Sequence, residues 1–370
     1  MVDRRRIVRQ WKQGSARVLV TLVRAEGSSY RRPGAHLLIG ADGEYAGTIS
    51  GGCLEAEVVR KAAWMVRDSA VVERYSTLFD DTAEIPFGLG CGGVVDLLLE
   101  PTDTPECHAL VDAMEASLGG AESRVATWLP SSGQPLRRAV FSEGGQLVFQ
   151  SPGLSSFDLA AVTVHAVAPS VYDSAIYVEI LLPPLRLFVL GAGDDAKPVV
   201  TMAAQLGWRI TVSDGRAQLA KAERFPEAER VVAALPVADL GIRAADAAVI
   251  MSHSYEQDRE LLTRLLGASE VPGYIGLLGA SHRSSLLVSE AAAALGLSVA
   301  ECCEKVWAPV GLDLGGEGAE AIALAVVSEV QAWRQGKLGT SRRLTAERVA
   351  DHVAKGGASR YLQTQCALGS

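Results

Sequence analysis

The chain has 370 residues, 48% of them hydrophobic and 21% charged, and a formal net charge of -8 at pH 7. This length allows two or three domains, and the hydrophobic fraction is sufficient for buried cores. The acidic balance argues against a nucleic-acid-binding protein, and prolines and charges interrupt the longest hydrophobic stretch, 175–191, which argues against a membrane span.

The cysteines and the first residues point to a cytoplasmic protein. The start of the chain is charged and lacks the apolar segment of a signal peptide. Six cysteines in a chain of this length, without such a leader, favour reduced thiols over a disulfide framework. We therefore expect a cytoplasmic location.

A loop rich in glycine and arginine follows a short amino-terminal helix and the first predicted strand, 17–23. This loop, 26–34, contains two glycines, two serines, Arg31 and Arg32. Guanidinium groups on such a backbone can hold an oxyanion, although an exposed loop with ordinary arginines has the same composition. A hairpin is predicted next, at 35–49, from its Asp-Gly turn.

Two cysteines of the first half are flanked by glycines. Cys53 follows Gly51 and Gly52 and precedes a helical pattern, so it is predicted to lie at a helix N-terminus, where free N–H groups lower the pKa of a thiol. Cys91 lies within GLGCGG, which leaves its backbone open to a ligand. Both cysteines also suit a purely apolar packing role, and no zinc-binding spacing accompanies them.

The domain organisation is predicted from the elements that follow. One helix, 108–118, and several hairpin-like strands complete the first half. The pair Pro183-Pro184 cannot join the ladder of a central strand, so we place a domain boundary there. The prediction is an N-terminal α+β domain at 1–183, a C-terminal Rossmann-like domain at 184–336 and a polar tail at 337–370.

The stretch 185–216 predicts a strand, a tight glycine turn, a helix and a second strand. Gly191 and Gly193 form the turn, and Asp214 follows about twenty residues later, where dinucleotide-binding units carry an acidic residue for a ribose hydroxyl. Free N–H groups at the helix start would face an anion, but the aspartates at 194–195 place two negative charges there. A Rossmann-type unit that keeps the glycine turn only for packing, and binds no dinucleotide, fits the same residues.

Alternating strands and helices after residue 216 predict a doubly wound parallel sheet. Polar side chains follow the predicted strands at 247–251 and 273–278. Because the carboxyl ends of parallel strands line the ligand crevice, we expect these side chains to converge near the glycine turn. Alternatively, these side chains are hydrogen-bonded surface groups that bind no ligand. The side chains concerned are His253, His282 and Arg283.

Seven motifs resemble, in order, those of the XdhC/CoxI family, the accessory factors of xanthine dehydrogenase and related molybdenum hydroxylases. Together they span nearly everything from residue 17 to residue 333. The motifs are GSSYRRPGA at 27–35, GTISGGCLE at 47–55, GLGCGG at 88–93, LFVLGAGDDAKPV at 187–199, VSDGR at 212–216, GYIGLLGA at 273–280 and APVGLDLG at 308–315.

The resemblance implies a factor that binds the molybdenum cofactor, a pterin dithiolene with a phosphate. It implies that the factor protects this cofactor while a cysteine desulfurase helps to install a sulfido ligand, and then delivers it to apo xanthine dehydrogenase or a related hydroxylase. On this hypothesis Cys53 and Cys91 approach the metal or its sulfur, and Arg31 and Arg32 hold the phosphate. Such a factor acts once per client enzyme, and a homodimer is one arrangement it could adopt.

Two other functions fit parts of the sequence. An oxidoreductase would bind NAD(P) at 191–214 and use His253 or His282 as an acid-base group. A soft-metal protein would use Cys53 and Cys91 to handle copper. The maturation-factor hypothesis requires in addition that the thiols and the crevice of the second domain open on a common cavity.

Overall fold

The computed structural model describes residues 1–67, 69–76, 93–131, 133–163, 170–172, 175–233 and 237–339. These residues form two antiparallel sheets in the first half of the chain and one parallel sheet in the second half. Within this described part, no helix is both long and apolar enough to cross a membrane.

The first sheet has the strand order β3-β2-β1-β5-β4, and all its neighbouring strands are antiparallel. Alternate residues of β1 point to opposite faces. Val20 and Leu22 pack against the helix α2, while Leu19 packs against α1 and α3 on the other face. The elements are α1 (Val2–Lys12), β1 (Ala16–Gly27), β2 (His36–Gly40), β3 (Tyr45–Gly47), α2 (Cys53–Met65), β4 (Val71–Ser76), β5 (Gly93–Pro101) and α3 (Pro105–Gly119).

The second sheet, also antiparallel, has the order β8-β7-β6-β10-β9. A buried ion pair ties it to the first sheet: both oxygens of Glu100 on β5 accept hydrogen bonds from the guanidinium of Arg138 on β7, at 2.9 and 3.0 Å. Each side chain is 1% exposed. The elements are β6 (Ser123–Trp128), β7 (Arg137–Ser142), β8 (Leu147–Gln150), α4 (Ser156–Thr163), β9 (Ser170–Tyr172) and β10 (Ile176–Leu181).

The third sheet is parallel throughout and has the order β13-β12-β11-β14-β15-β16, the 3-2-1-4-5-6 order of a Rossmann domain. Leu187 and Val189 face α5 and α9, while Phe188 and Leu190 face α6 and α7. The elements are β11 (Arg186–Leu190), α5 (Ala196–Gln205), β12 (Arg209–Ser213), β13 (Arg230–Val232), β14 (Ala247–Ile250), α6 (Tyr255–Leu266), β15 (Tyr274–Leu277), α7 (Ser281–Leu295), α8 (Val299–Cys303), β16 (Val306–Trp307) and α9 (Ala319–Arg334).

The predicted fold class is confirmed: an α+β first half precedes a doubly wound parallel sheet. The sequence did not predict β16, because a strand of two residues has no periodicity to detect. The strand β10 ends at Leu181 in the second sheet and β11 begins at Arg186 in the third, so the chain changes sheets across 182–185.

Candidate functional site

Three glycine-containing stretches of the first half meet at one end of the first sheet. Gly27 and Gly93 are cross-strand partners in β1 and β5. A Cβ on Gly93 would overlap the carbonyl oxygen of Ser28, so only glycine allows this approach. The ring of Tyr30 lies 3.8 Å from the position of a Cβ on Gly51. The loop after β1, the turn before α2 and the start of β5 are therefore neighbours.

The turn before α2 is held by one buried carboxylate, that of Glu55, which is 1% exposed. Its Oε1 accepts hydrogen bonds from the N–H groups of Ile49 at 3.0 Å and Ser50 at 2.8 Å. Its Oε2 accepts from the N–H group of Gly52 at 3.0 Å and from the Ser50 hydroxyl. Burial alone would raise the pKa of Glu55, but these hydrogen bonds hold it below its ordinary value.

Cys53 is the first residue of α2, as the sequence predicted. Gly52 precedes it with a φ of 114°, a left-handed conformation that glycine adopts without strain. The N–H group of Leu54 in this first turn donates to the Ser50 hydroxyl at 3.2 Å, and the dipole at such a helix start favours an anion or a thiolate. Cys91 lies outside the described residues.

The two arginines of the predicted anion loop differ in their surroundings. Arg31 forms an ion pair with Asp3 of α1, with Nη2 and Oδ2 2.8 Å apart. Arg32 is exposed, and within the described part of the chain its side chain makes no ion pair. Arg32 is thus the more available of the two for a ligand.

The glycine turn after β11 is tightly packed. Gly191 has a φ of 136°, and a Cβ there would overlap the carbonyl oxygen of Met251 after β14. A Cβ on Gly193 would overlap Oδ1 of Asp195. The other oxygen of Asp195, Oδ2, lies 2.8 Å from Nε2 of His253. The carboxylate of Asp195 therefore lies directly over the second glycine.

Asp214, at the end of β12, is 1% exposed and fully hydrogen-bonded. It accepts from the N–H group of Ala192 at 2.8 Å and from Nε and Nη2 of Arg216 at 2.9 and 2.7 Å. Burial alone would raise the pKa of Asp214, but hydrogen bonds from Arg216 and Ala192 hold it below its ordinary value. In this geometry Asp214 orients the turn and Arg216, and a contact between Asp214 and a ribose hydroxyl stays a prediction.

A second buried aspartate organises the neighbouring strand end. Asp258 of α6, 1% exposed, accepts from the Ser252 hydroxyl at 2.5 Å and from Nη2 of Arg283 at 2.7 Å. Nη2 of Arg216 also lies 3.3 Å from the carbonyl oxygen of Ser252. His282 is exposed in the first turn of α7, and no described contact joins it to this network.

Comparison with known families decides the identity of the chain. The model of the XdhC Rossmann domain matches residues 187–330, and the model of the XdhC and CoxI family matches residues 10–76. The chain belongs to the XdhC and CoxI family.

Relatives of known description agree with this assignment. A probable xanthine dehydrogenase subunit of Bacillus subtilis (strain 168) is 28% identical over 319 residues, 85% of this chain and 92% of that protein. The molybdenum cofactor insertion chaperone PaoD of Escherichia coli (strain K12) is 26% identical over 327 residues, 87% and 84% respectively. A Bacillus halodurans crystal structure described as a xanthine dehydrogenase has a TM-score of 0.78 at 25% identity and covers 94% of this chain and 99% of its own.

In this member of the XdhC and CoxI family, the two halves of the described chain meet at the end of the parallel sheet where the strands begin. The crevice lies at the opposite end, where the strands finish. Gly207 before β12 lies against Met1, the N-cap residue of α1, and Arg334 donates to the carbonyl oxygen of Pro183 at 2.9 Å. Cavities of about 730 and 880 Å³ lie along the same edge and contain none of the predicted site residues. A cavity shared by the thiols and the crevice stays a prediction.

Sequence reasoning missed three side chains that organise the crevice of this family member. Arg216 lies two residues after Asp214, and that spacing could have suggested a pair. Asp195 was interpreted as a negative charge at the helix start that opposes a phosphate, and its contact with His253 was not foreseen. Asp258 gave no detectable pattern, because its partner Arg283 lies 25 residues away. Within the described residues, no cluster of three or more His, Cys, Asp or Glu side chains could hold a metal ion.

Proposed function

We propose that this protein binds the molybdenum cofactor as cargo, protects it while a cysteine desulfurase helps to add its sulfido ligand, and delivers it to apo xanthine dehydrogenase or a related molybdenum hydroxylase. The family assignment supports this proposal, as does the similarity to a protein described as a molybdenum cofactor insertion chaperone. A homodimer and a cytoplasmic location stay predictions.

The observation that carries the proposal is the meeting of three glycine-containing stretches around the start of α2. The Tyr30 ring lies against Gly51, and Gly93 lies against Ser28. This arrangement leaves backbone N–H groups and a cysteine at one helix start. Thiolates are soft ligands that suit molybdenum and its sulfur, and a helix N-terminus favours the thiolate form.

The residues present fit the cargo in three ways. Cys53 at the start of α2 would contact the metal or its sulfido group, and Cys91 has the same proposed role. Arg32 would bind the phosphate of the pterin through its exposed guanidinium, while Asp3 orients Arg31 beside it. Glu55 would keep the turn before α2 in shape whether or not the cargo is bound, because its hydrogen bonds are internal to the protein.

The test is co-expression with a client hydroxylase. Cys53→Ala and Cys91→Ala should each lower the sulfido-molybdenum content of the purified client by roughly tenfold or more, and should lower the amount of pterin that co-purifies with this protein. Cys303→Ala is the matched control, since Cys303 is an exposed cysteine of α8 in the other half of the chain.

The two readouts separate binding from delivery. Loss of pterin binding together with loss of client sulfuration would support the whole proposal. Full client activation by both cysteine variants, with wild-type pterin content, would refute the assignment of these cysteines.

A further inference from the structure

The usual phosphate position of the glycine turn is taken by the protein itself. In a Rossmann domain the pyrophosphate of a dinucleotide lies over the turn at the N-terminus of the first helix. Here the carboxylate of Asp195 lies over Gly193 at that place. Asp195 is the N-cap residue of α5, yet its side chain makes no capping hydrogen bond. Its described hydrogen-bond partner is His253.

His253 adopts an unusual backbone conformation to make this contact. Its φ is 62°, in the left-handed region, which costs energy for every residue other than glycine. The conformation brings Nε2 to 2.8 Å from Oδ2 of Asp195. The neighbouring Asp194 is exposed and is neutralised by Lys197 and Arg224. Asp195 is thus the carboxylate of this turn that His253 holds.

Two arginines face the same crevice from either side of β14. Arg216 follows β12 and reaches across β11 to the carbonyl oxygen of Ser252, 3.3 Å away. Arg283 follows β15 and is held by Asp258, which also accepts a hydrogen bond from the Ser252 hydroxyl. Both guanidinium groups are therefore anchored around one point, the end of β14.

Each arginine is fixed by a buried carboxylate and retains a donor. Asp214 and Asp258 are both 1% exposed, whereas the side chains of Arg216 and Arg283 are 37% and 27% exposed. Nη1 of Arg216 and Nε of Arg283 donate no hydrogen bond to any described residue. Planar guanidinium groups that are already oriented match the oxygens of a phosphate monoester.

We propose that Asp195, held by His253, excludes dinucleotides from the glycine turn, and that the crevice instead binds a small molecule by one terminal phosphate, on Arg216 and Arg283. This site is separate from Arg32, to which the proposed function assigns the phosphate of the pterin cargo. The binding chemistry itself depends only on the crevice.

The experiment titrates the full chain separately with NAD⁺ and with inorganic phosphate by calorimetry. Wild type should bind phosphate and show no measurable heat with NAD⁺. Asp195→Ala should bind NAD⁺ measurably, roughly 100-fold more tightly than the weakest binding that the titration detects, because a like charge is removed from the pyrophosphate position. Arg216→Gln and Arg283→Gln should each weaken phosphate binding about 10-fold or more.

Controls make the outcome decisive. Arg264→Gln removes an arginine from an exposed pair on α6 and should leave both titrations unchanged. Arg216→Lys keeps the charge and should retain part of the phosphate binding, which covers the case in which the glutamine variant does not fold. Tight NAD⁺ binding by wild type, or phosphate binding that both arginine variants leave intact, would overturn the proposal. Neither titration involves the cysteines or a client enzyme, so a failure here is distinct from a failure of the proposed function.

Discussion

Replacing Glu55 by glutamine should loosen the turn that leads into Cys53 without unfolding the protein. In the native turn one carboxylate accepts three backbone N–H groups, those of Ile49, Ser50 and Gly52. Glutamine keeps an oxygen for two of them, but its amide nitrogen then faces the N–H group of Gly52. One charge-assisted hydrogen bond is lost, and the N–H group of Gly52 keeps only its longer contact with the Ser50 hydroxyl, at 3.3 Å.

The magnitude follows from that count. A hydrogen bond to a charged group contributes about 1.5–3 kcal/mol, so we expect a local cost of about 2–3 kcal/mol. Since 1.4 kcal/mol is a factor of ten, the amide of Gly52 should exchange with solvent about 30- to 140-fold faster. Hydrogen exchange is the suitable assay, because it reports on this turn alone.

The pH dependence has a definite sign. Because the pKa of Glu55 is lowered in the folded protein, its stabilisation is present above the unfolded pKa, about 4.3, and is lost as the pH falls through the folded value. The difference between wild type and Glu55→Gln should therefore be full at pH 7 and vanish in acid. Glu57→Gln is the control, since the partners of Glu57 among the described residues, Arg60 and Lys61, both lie on α2. Equal Gly52 exchange in wild type and Glu55→Gln at pH 7 would refute this reasoning.

Two further predictions concern the core and the glycine turn. Arg138→Met leaves Glu100 buried without its partner and should lower the free energy of unfolding in urea by about 3–5 kcal/mol. The double variant Arg138→Met/Glu100→Leu should recover most of this loss. If the losses of the two single variants simply added in the double variant, the buried pair would be contradicted. Gly191→Ala forces a side chain into a left-handed conformation against the carbonyl of Met251 and should cost about 2–5 kcal/mol. Gly144→Ala, with no neighbour within 4 Å of its new Cβ, should unfold like wild type, and equal thermal midpoints for the two variants would disprove the packing argument.

The N-terminal site was harder to predict than the Rossmann unit. The sequence placed Cys53 correctly at a helix start, because glycines followed by an amphipathic pattern are a local feature. It treated Arg31 and Arg32 alike, although Asp3 pairs with only one of them. It also did not foresee that Tyr30 would pack on the turn before α2, since nothing in either loop encodes the other.

The sequence by itself determined the parallel sheet, the glycine turn and the start of α2. Each depends on the backbone geometry of one short segment, and periodicity and turn residues record that geometry directly. Only the tertiary structure decided which charges neutralise one another. Asp195 and His253 are 58 residues apart, and Asp258 and Arg283 are 25 apart. Their pairing depends on how strands far apart in the chain come together, and for that reason the occupied turn and the paired arginines became visible only in three dimensions.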